Sequence, residues 1–166
     1  MVVMAFDHLP NRWLRVFAVF ILIAASVFAF FKNWSDQGIK NKPGMAAASA
    51  FVNLSATPQD QIVVGSSFIY FTFKYYNSTA IPPLLISDRP LAEIPHFSGT
   101  AILSPKDLIL NLGNIKKGEI VWLLWTTGFG SSKPQVPASW RQIEERGYED
   151  TPGFKGWIVV DKYKVN

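Results

Sequence analysis

The side chains suited to chemistry are few and widely spaced. Lys133 closes the run Gly128-Phe-Gly-Ser-Ser-Lys133, in which glycines would let backbone amides approach an anion while the lysine supplies charge. A phosphate loop needs two glycines separated by four residues, then Lys and Ser or Thr running straight into a helix. Here the glycines are two apart and Pro134 follows the lysine, so the segment reads as a flexible loop. It follows the strand expected at Ile120 to Trp125, where open α/β sheets bind ligands, and Lys133 is therefore a candidate for contact with a phosphate or sugar.

Tyr70-Phe-Thr-Phe-Lys-Tyr-Tyr76 packs aromatic rings around one lysine. Such rings stack on sugars or lie at a membrane surface, which makes Lys74, Tyr75 and Tyr76 the second set of substrate-binding candidates. Helical spacing also turns Phe68, Phe71 and Tyr75 toward a core. His96, in an irregular stretch, completes the candidates; its simplest reading is a surface residue. His8 lies far away in the chain, so no paired-histidine metal motif exists. Asp88, Glu93 and Asp107 are too scattered to be read as a catalytic pair, and Glu144 and Glu145 read as the solvated face of a helix. No catalytic residue, metal site or cofactor is expected. Asn33-Trp-Ser35, Asn53-Leu-Ser55 and Asn77-Ser-Thr79 match the glycosylation acceptor triplet, a pattern common by chance.

Composition narrows the classes. The 166 residues include no cysteine, which excludes disulfides, a catalytic thiol and thiolate metal sites. A net charge of +4 arises from 16 basic and 12 acidic residues interleaved along the chain, without the basic stripe of a nucleic-acid binder. With 49% hydrophobic and 17% charged residues, the chain is too apolar to be disordered.

The elements that must position these residues follow in order. Val16 to Phe31 carries no charge and, extended through Trp34, has the length of a single membrane-crossing helix. Trp13 and Trp34 would sit at the two headgroup zones, and Arg12, Arg15 and Lys32 would snorkel outward. The competing reading is a cleaved secretory signal ending near Val27-Phe-Ala29. The flanking charges, Arg12 and Arg15 before and Lys32, Lys40 and Lys42 after, do not orient it. Residues 1–15 form a flank, 16–34 the transmembrane helix, and 35–166 one α/β domain.

Within that domain Asn41-Lys-Pro-Gly44 opens a helix that ends near Thr57-Pro58. Ile62 to Val64 forms a buried strand, Phe68 to Tyr76 a helix, Leu84 to Ile86 a strand, and Ser87 to Leu103 an irregular connection. Ser104-Pro-Lys-Asp107 is a helix start, with Leu108, Leu112 and Ile115 on one side of the helix. Ile120 to Trp125 is the strongest strand. Ala138 to Arg146 reads as a helix with Trp140 and Ile143 inward, closed by Gly147, and Phe154 to Tyr163 is a final strand. The alternation implies a small, mostly parallel sheet with helices on both faces.

The order of these segments resembles a known family. A hydrophobic helix, a basic linker into Lys42-Pro-Gly-Met-Ala-Ala-Ala48, then Pro58-Gln-Asp-Gln-Ile-Val-Val64, Tyr75-Tyr76 and Val121-Trp-Leu-Leu-Trp125 look like the C-terminal end of bacterial polytopic GT-C glycosyltransferases. These are the family 39 enzymes related to protein mannosyltransferases. The resemblance implies an extracytoplasmic domain in the inner membrane, attached after the last helix of an enzyme that moves sugar from a polyprenyl-phosphate donor. The family's catalytic acid lies in an N-terminal loop that has no counterpart here, so no catalytic residue carries over. The expected partners are the lipid bilayer, a polytopic catalytic subunit, and a polyprenyl-phosphate sugar or glycan acceptor, with acceptor binding or active-site covering as the role. The alternative is a free-standing anchored scaffold or binding protein of the cell envelope without a catalytic role. An anchored hydrolase would need a nucleophile elbow or metal motif, and neither occurs.

Overall fold

A computed structural model describes residues 12–36, 44–94, 101–150 and 156–166, in two compact units, Met1–Asn41 and Lys42–Asn166. The described residues of the first form one helix, α1 (Arg12–Asp36). Its apolar stretch Arg12–Lys32 covers 21 residues with no part buried, about 31 Å of rise. Length and composition thus make it a helix able to cross a membrane. The lone hydroxyl in its middle, Ser26, donates back to the Leu22 carbonyl at 2.8 Å, leaving no polar group unsatisfied there.

The second unit is α/β. Its elements are α2 (Met45–Ser55), β1 (Gln61–Val64), α3 (Ser67–Tyr76), β2 (Leu84–Ile86), β3 (Leu108–Ile109), β4 (Ile120–Thr126), β5 (Trp140–Glu149) and β6 (Trp157–Val165). They build one six-stranded sheet in the order β3-β2-β1-β4-β6-β5. The first four strands of that order are parallel, while β6 runs antiparallel to both β4 and β5. The sheet is therefore mixed rather than mostly parallel. The reason is local: β5 and β6 are joined by a short return, which allows only antiparallel pairing.

Two apolar layers sandwich the sheet. Ala48, Val52, Ile69, Tyr70 and Phe73 of α2 and α3 pack on Ile62, Val64, Leu85, Trp122, Leu124, Ile158 and Val160. The opposite layer joins Val63, Val121, Leu123, Tyr163 and Val165 to Trp140 and Leu112, with Ile115 and Val136 against them. Among the described residues both domain helices lie on the first face; the second is covered by irregular chain, not by helices as expected.

Three expected elements differ. The expected helix over 138–146 is instead a turn at 138–139 followed by strand from Trp140: good helix formers are overridden by a ladder with β6 running from Trp140↔Val165 to Glu149↔Trp157. Gly147 sits inside that strand, Trp140 is buried as expected, and Ile143 is half-exposed. As the outer strand, β5 carries Arg141, Glu144, Glu145, Arg146 and Glu149, charge that discourages edge-to-edge pairing. The start at Ser104 does form a capping box with Asp107, yet the helix lasts one 3₁₀ turn, Pro105–Asp107. Leu108 and Ile109 leave it to pair with Leu85 and Ile86. On α3 the buried side chains are Ile69, Tyr70 and Phe73, so Phe68 and Tyr75 point outward and Phe71 is only partly covered.

Candidate functional site

The carboxyl edge of the parallel strands is the natural place for a ligand in such a sheet. The chain reverses direction across the sheet between β1 and β4, but that crevice is filled. A side chain at Gly65 would run into the ring of Pro134 and touch Trp125, so the loop after β4 lies directly over the end of β1. The Ser131 hydroxyl reaches the Ser66 hydroxyl at 3.4 Å. Phe129 and Gly130 turn that loop with φ of 57° and 69°, a left-handed conformation that is uncommon for a bulky residue.

The open space lies one strand over. A cleft of about 360 Å³ is lined by Gly65, Ser66, Ser67 and Phe68 after β1, by Leu85 and Ile86 at the end of β2, and by Ser87, Asp88, Arg89 and Ile94 after it. Ser66 caps α3 by accepting from the Phe68 amide, and the first amides of α3 carry the positive end of the helix dipole into the cleft. Arg89 supplies a guanidinium, held by the Asp88 carboxylate through two hydrogen bonds at 3.0 and 2.9 Å. That pairing lowers the Asp88 pKa and raises that of Arg89. The walls thus combine serine hydroxyls, helix amides, the Phe68 ring and a guanidinium whose charge the adjacent Asp88 carboxylate offsets.

Lys133 does not reach this cleft. It extends over the second face, where its ammonium pairs with the fully buried Asp161 carboxylate at 2.9 Å and lies 5.9 Å from the Trp125 ring and 5.7 Å from that of Tyr163. Asp161 also accepts from Trp125 Nε1 at 2.9 Å and from Gln142 Nε2 at 3.1 Å. Gln142 donates in addition to Glu145 at 2.9 Å. The strand register explains how Gln142 and Glu145 share this spot. Gln142 pairs with Tyr163 and Glu145 with Asp161, while a bulge at Ile143 absorbs the extra residue; without it Glu144 would oppose Asp161.

Burial pushes the Asp161 carboxyl upward against the pull of Lys133 and Trp125. The Gln142 amide and Asp161 hold Glu145 below its ordinary value. Burial works against the Lys133 ammonium, yet its hydrogen bonds to Asp161 and Tyr163 outweigh it and raise its pKa. The cluster pins the loop after β4 to the sheet.

The other sequence candidates are dispersed. Lys74 donates to Asp107 at 2.8 Å and lies 5.5 Å from the Tyr70 ring; Tyr70 also donates to Asp107. Burial, then Asp107, drives the Tyr70 hydroxyl upward, whereas the Lys74, Ser104 and Tyr70 donors overcome burial and hold Asp107 well below the carboxylate range. Tyr75 is 83% exposed, and Tyr76 is partly buried against the first core layer. These residues close α3, on the face opposite Lys133, so the structure does not bring the two candidate sets together. His96 lies outside the described residues, as does Phe154 at the expected start of the last strand. Asn53 and Asn77 are occupied structurally: Asn53 Nδ2 donates to the Tyr76 carbonyl and Asn77 Nδ2 to that of Ile81, both at 2.9 Å.

Sequence reading missed Arg89 and the Ser66 cap as cleft groups, and the partners of Lys133. One signal was present: Asp161 shares its strand phase with Val159, Tyr163 and Val165, all buried, and a charge in an apolar phase demands a partner. Compared with known proteins, the chain matches no family model and no curated protein.

Proposed function

We propose that this chain is a membrane-anchored, extracytoplasmic binding domain. It takes the phosphate-bearing end of a polyprenyl-phosphate sugar, or a glycan acceptor, in the cleft between β1 and β2. It works beside a polytopic glycosyltransferase subunit and brings no catalytic residue of its own. The observation that carries the reading is the cleft itself. It opens at the carboxyl ends of two parallel strands, against the start of α3, with Arg89, Ser66, Ser67 and Ser87 on its walls, in a chain whose other unit is a membrane-length helix. The GT-C-like order of segments adds the substrate class.

The test is binding of a short-chain polyprenyl-phosphate hexose to the full chain in lipid nanodiscs. Saturable binding is expected, weakened roughly tenfold by Arg89→Ala, the loss of one charge-assisted contact. Absence of binding, together with failure to co-purify with a polytopic subunit, would refute the proposal in favour of an anchored scaffold. Sugar transfer by the chain alone would overturn its catalytic incompleteness, and a reporter fusion placing the domain in the cytoplasm would overturn its sidedness.

A further inference from the structure

The cleft between β1 and β2 has one neutral wall and one that carries charges of both signs. β1 and β2 are neighbouring parallel strands, so their carboxyl ends lie about 5 Å apart, and the cleft opens where the following segments diverge. The wall after β1, Gly65 to Phe68, has no charged side chain. Of the first amides of α3, that of Phe68 donates to the Ser66 hydroxyl, and those of Ile69 and Tyr70 to the Ser66 carbonyl. The Ser67 amide and hydroxyl remain for an anion, at the positive end of the helix dipole.

The wall after β2 concentrates its charge on one short turn. The Ser87 hydroxyl donates to the Arg89 carbonyl at 2.6 Å and accepts from the Arg89 amide at 3.3 Å, which fixes the backbone of Asp88 and Arg89 and leaves this serine no proton for a ligand. Both oxygens of the Asp88 carboxylate accept from the Arg89 guanidinium, and Glu93 adds a second negative charge to the field at that guanidinium. Two carboxylates thus act on one cation. A ligand with negative charge alone has to displace Asp88 and then lies beside carboxylates that nothing in the pair neutralises. The pair itself is loose, because the Asp88 and Arg89 side chains are 77% and 48% exposed and exposed pairs are weak. A ligand that brings an ammonium together with its anion exchanges with the pair without that penalty, since each of its charges meets the opposite one.

We infer that the ligand of this cleft is zwitterionic: a phosphate ester that bears a primary ammonium within a few bonds of the phosphate. Arg89 and Ser67 hold the phosphate, Asp88 with Glu93 selects for the ammonium, and the half-exposed Phe68 ring offers a face to the carbon skeleton. This names the substrate class of the binding reading proposed above and rests on it. An amino-sugar phosphate and an ethanolamine headgroup share the chemistry, and Asp88 separates both from phosphates that lack an amine.

The test is calorimetric titration of the full chain in phosphatidylglycerol nanodiscs, which contain no competing zwitterion, with glucosamine 1-phosphate, glucose 1-phosphate and phosphoethanolamine. Glucosamine 1-phosphate is expected to bind about fivefold more tightly than glucose 1-phosphate, the effect of one exposed charge pair. Asp88→Asn should bring the two sugars level, Glu93→Gln should reduce the preference, and Arg89→Gln should weaken both sugars. Circular dichroism confirms folding, which these exposed positions leave intact. Tighter binding of glucosamine 1-phosphate than of phosphoethanolamine supports an amino sugar as the source of the ammonium, and the reverse supports a lipid headgroup. Equal affinity for the two sugar phosphates in the unmodified chain, or a preference that survives Asp88→Asn, overturns the inference and leaves the cleft as a phosphate site. Failure of all three probes, with the polyprenyl-phosphate hexose unbound as well, refutes the binding reading together with it.

Discussion

Lys133→Met removes the only ammonium facing Asp161 among the described residues and leaves a carboxylate that is wholly buried. Breaking a buried pair from one side costs about 3–5 kcal/mol when nothing compensates. Two features reduce that here: the Lys133 side chain is 35% exposed, so water screens part of the interaction, and Asp161 keeps its Trp125 and Gln142 donors. The expected loss is about 2 kcal/mol at neutral pH, or roughly 8 °C in Tm for a domain of this size. The sign of its pH dependence follows from the raised Asp161 pKa. A carboxyl that binds its proton more tightly in the folded than in the unfolded chain favours folding at low pH, and that contribution is lost as pH rises through the folded value. Loss of Lys133 raises the folded value further. The deficit of the variant is therefore largest at neutral pH and shrinks as pH falls toward the ordinary carboxylate range near about 4. Urea unfolding of the full chain in micelles, followed by tryptophan fluorescence from pH 4.5 to 8, measures it. The double variant Lys133→Met/Asp161→Asn should recover most of the loss, because the amide needs no counter-charge and Gln142 can turn its own amide to match. A deficit independent of pH, or no recovery in the double variant, would refute the assignment of Asp161 as the buried charge that Lys133 neutralises.

Gly65→Ala places a methyl group against the Pro134 ring; it should cost about 1–3 kcal/mol by overpacking and expose the loop after β4 to limited proteolysis. Trp122→Phe deletes the buried hydrogen bond from Nε1 to Asp60 at 2.8 Å along with ring volume, and a loss of about 2 kcal/mol is expected in thermal unfolding. Asn77→Ala removes an acceptor shared by the Thr79 amide and hydroxyl and the donor to the Ile81 carbonyl. Loss of that turn should destabilise the domain by about 1–2 kcal/mol, read by urea midpoint, while leaving ligand binding unchanged.

Much of the fold was legible because its signals are local. The runs Ile62 to Val64, Leu84 to Ile86 and Ile120 to Trp125 are continuous apolar stretches of Ile, Val, Leu and Trp, and each lies in a strand of the parallel part of the sheet. The charge-free stretch from Val16 to Phe31 is helix, and Ser104-Pro-Lys-Asp107 forms its capping box. Residues 138–146 misled because Arg-Gln-Ile-Glu-Glu-Arg favours helix by propensity. The ladder to β6 starts at a short return but runs out to Trp140↔Val165, so its far end pairs residues that a local propensity window does not weigh together. The phase of α3 was misjudged for a related reason, since an all-round aromatic helix has no unique apolar face until the sheet chooses Ile69, Tyr70 and Phe73.

The site divides along the same line. Composition and spacing alone set the class of the chain: one membrane-length helix, one α/β unit, no thiol chemistry. They also marked Lys133 as unusual, since a lysine after a central strand stands where ligands bind. Tertiary structure decided what Lys133 touches, because Trp125, Gln142, Glu145 and Asp161 meet it only through the β4-β6-β5 pairing and the bulge at Ile143. It also moved the open cleft to Arg89 and the start of α3, since Pro134 packing on Gly65 closes the neighbouring crevice. Local sequence encodes the strands and caps; which charged groups neutralise one another depends on strand order and register, and those are properties of the assembled sheet.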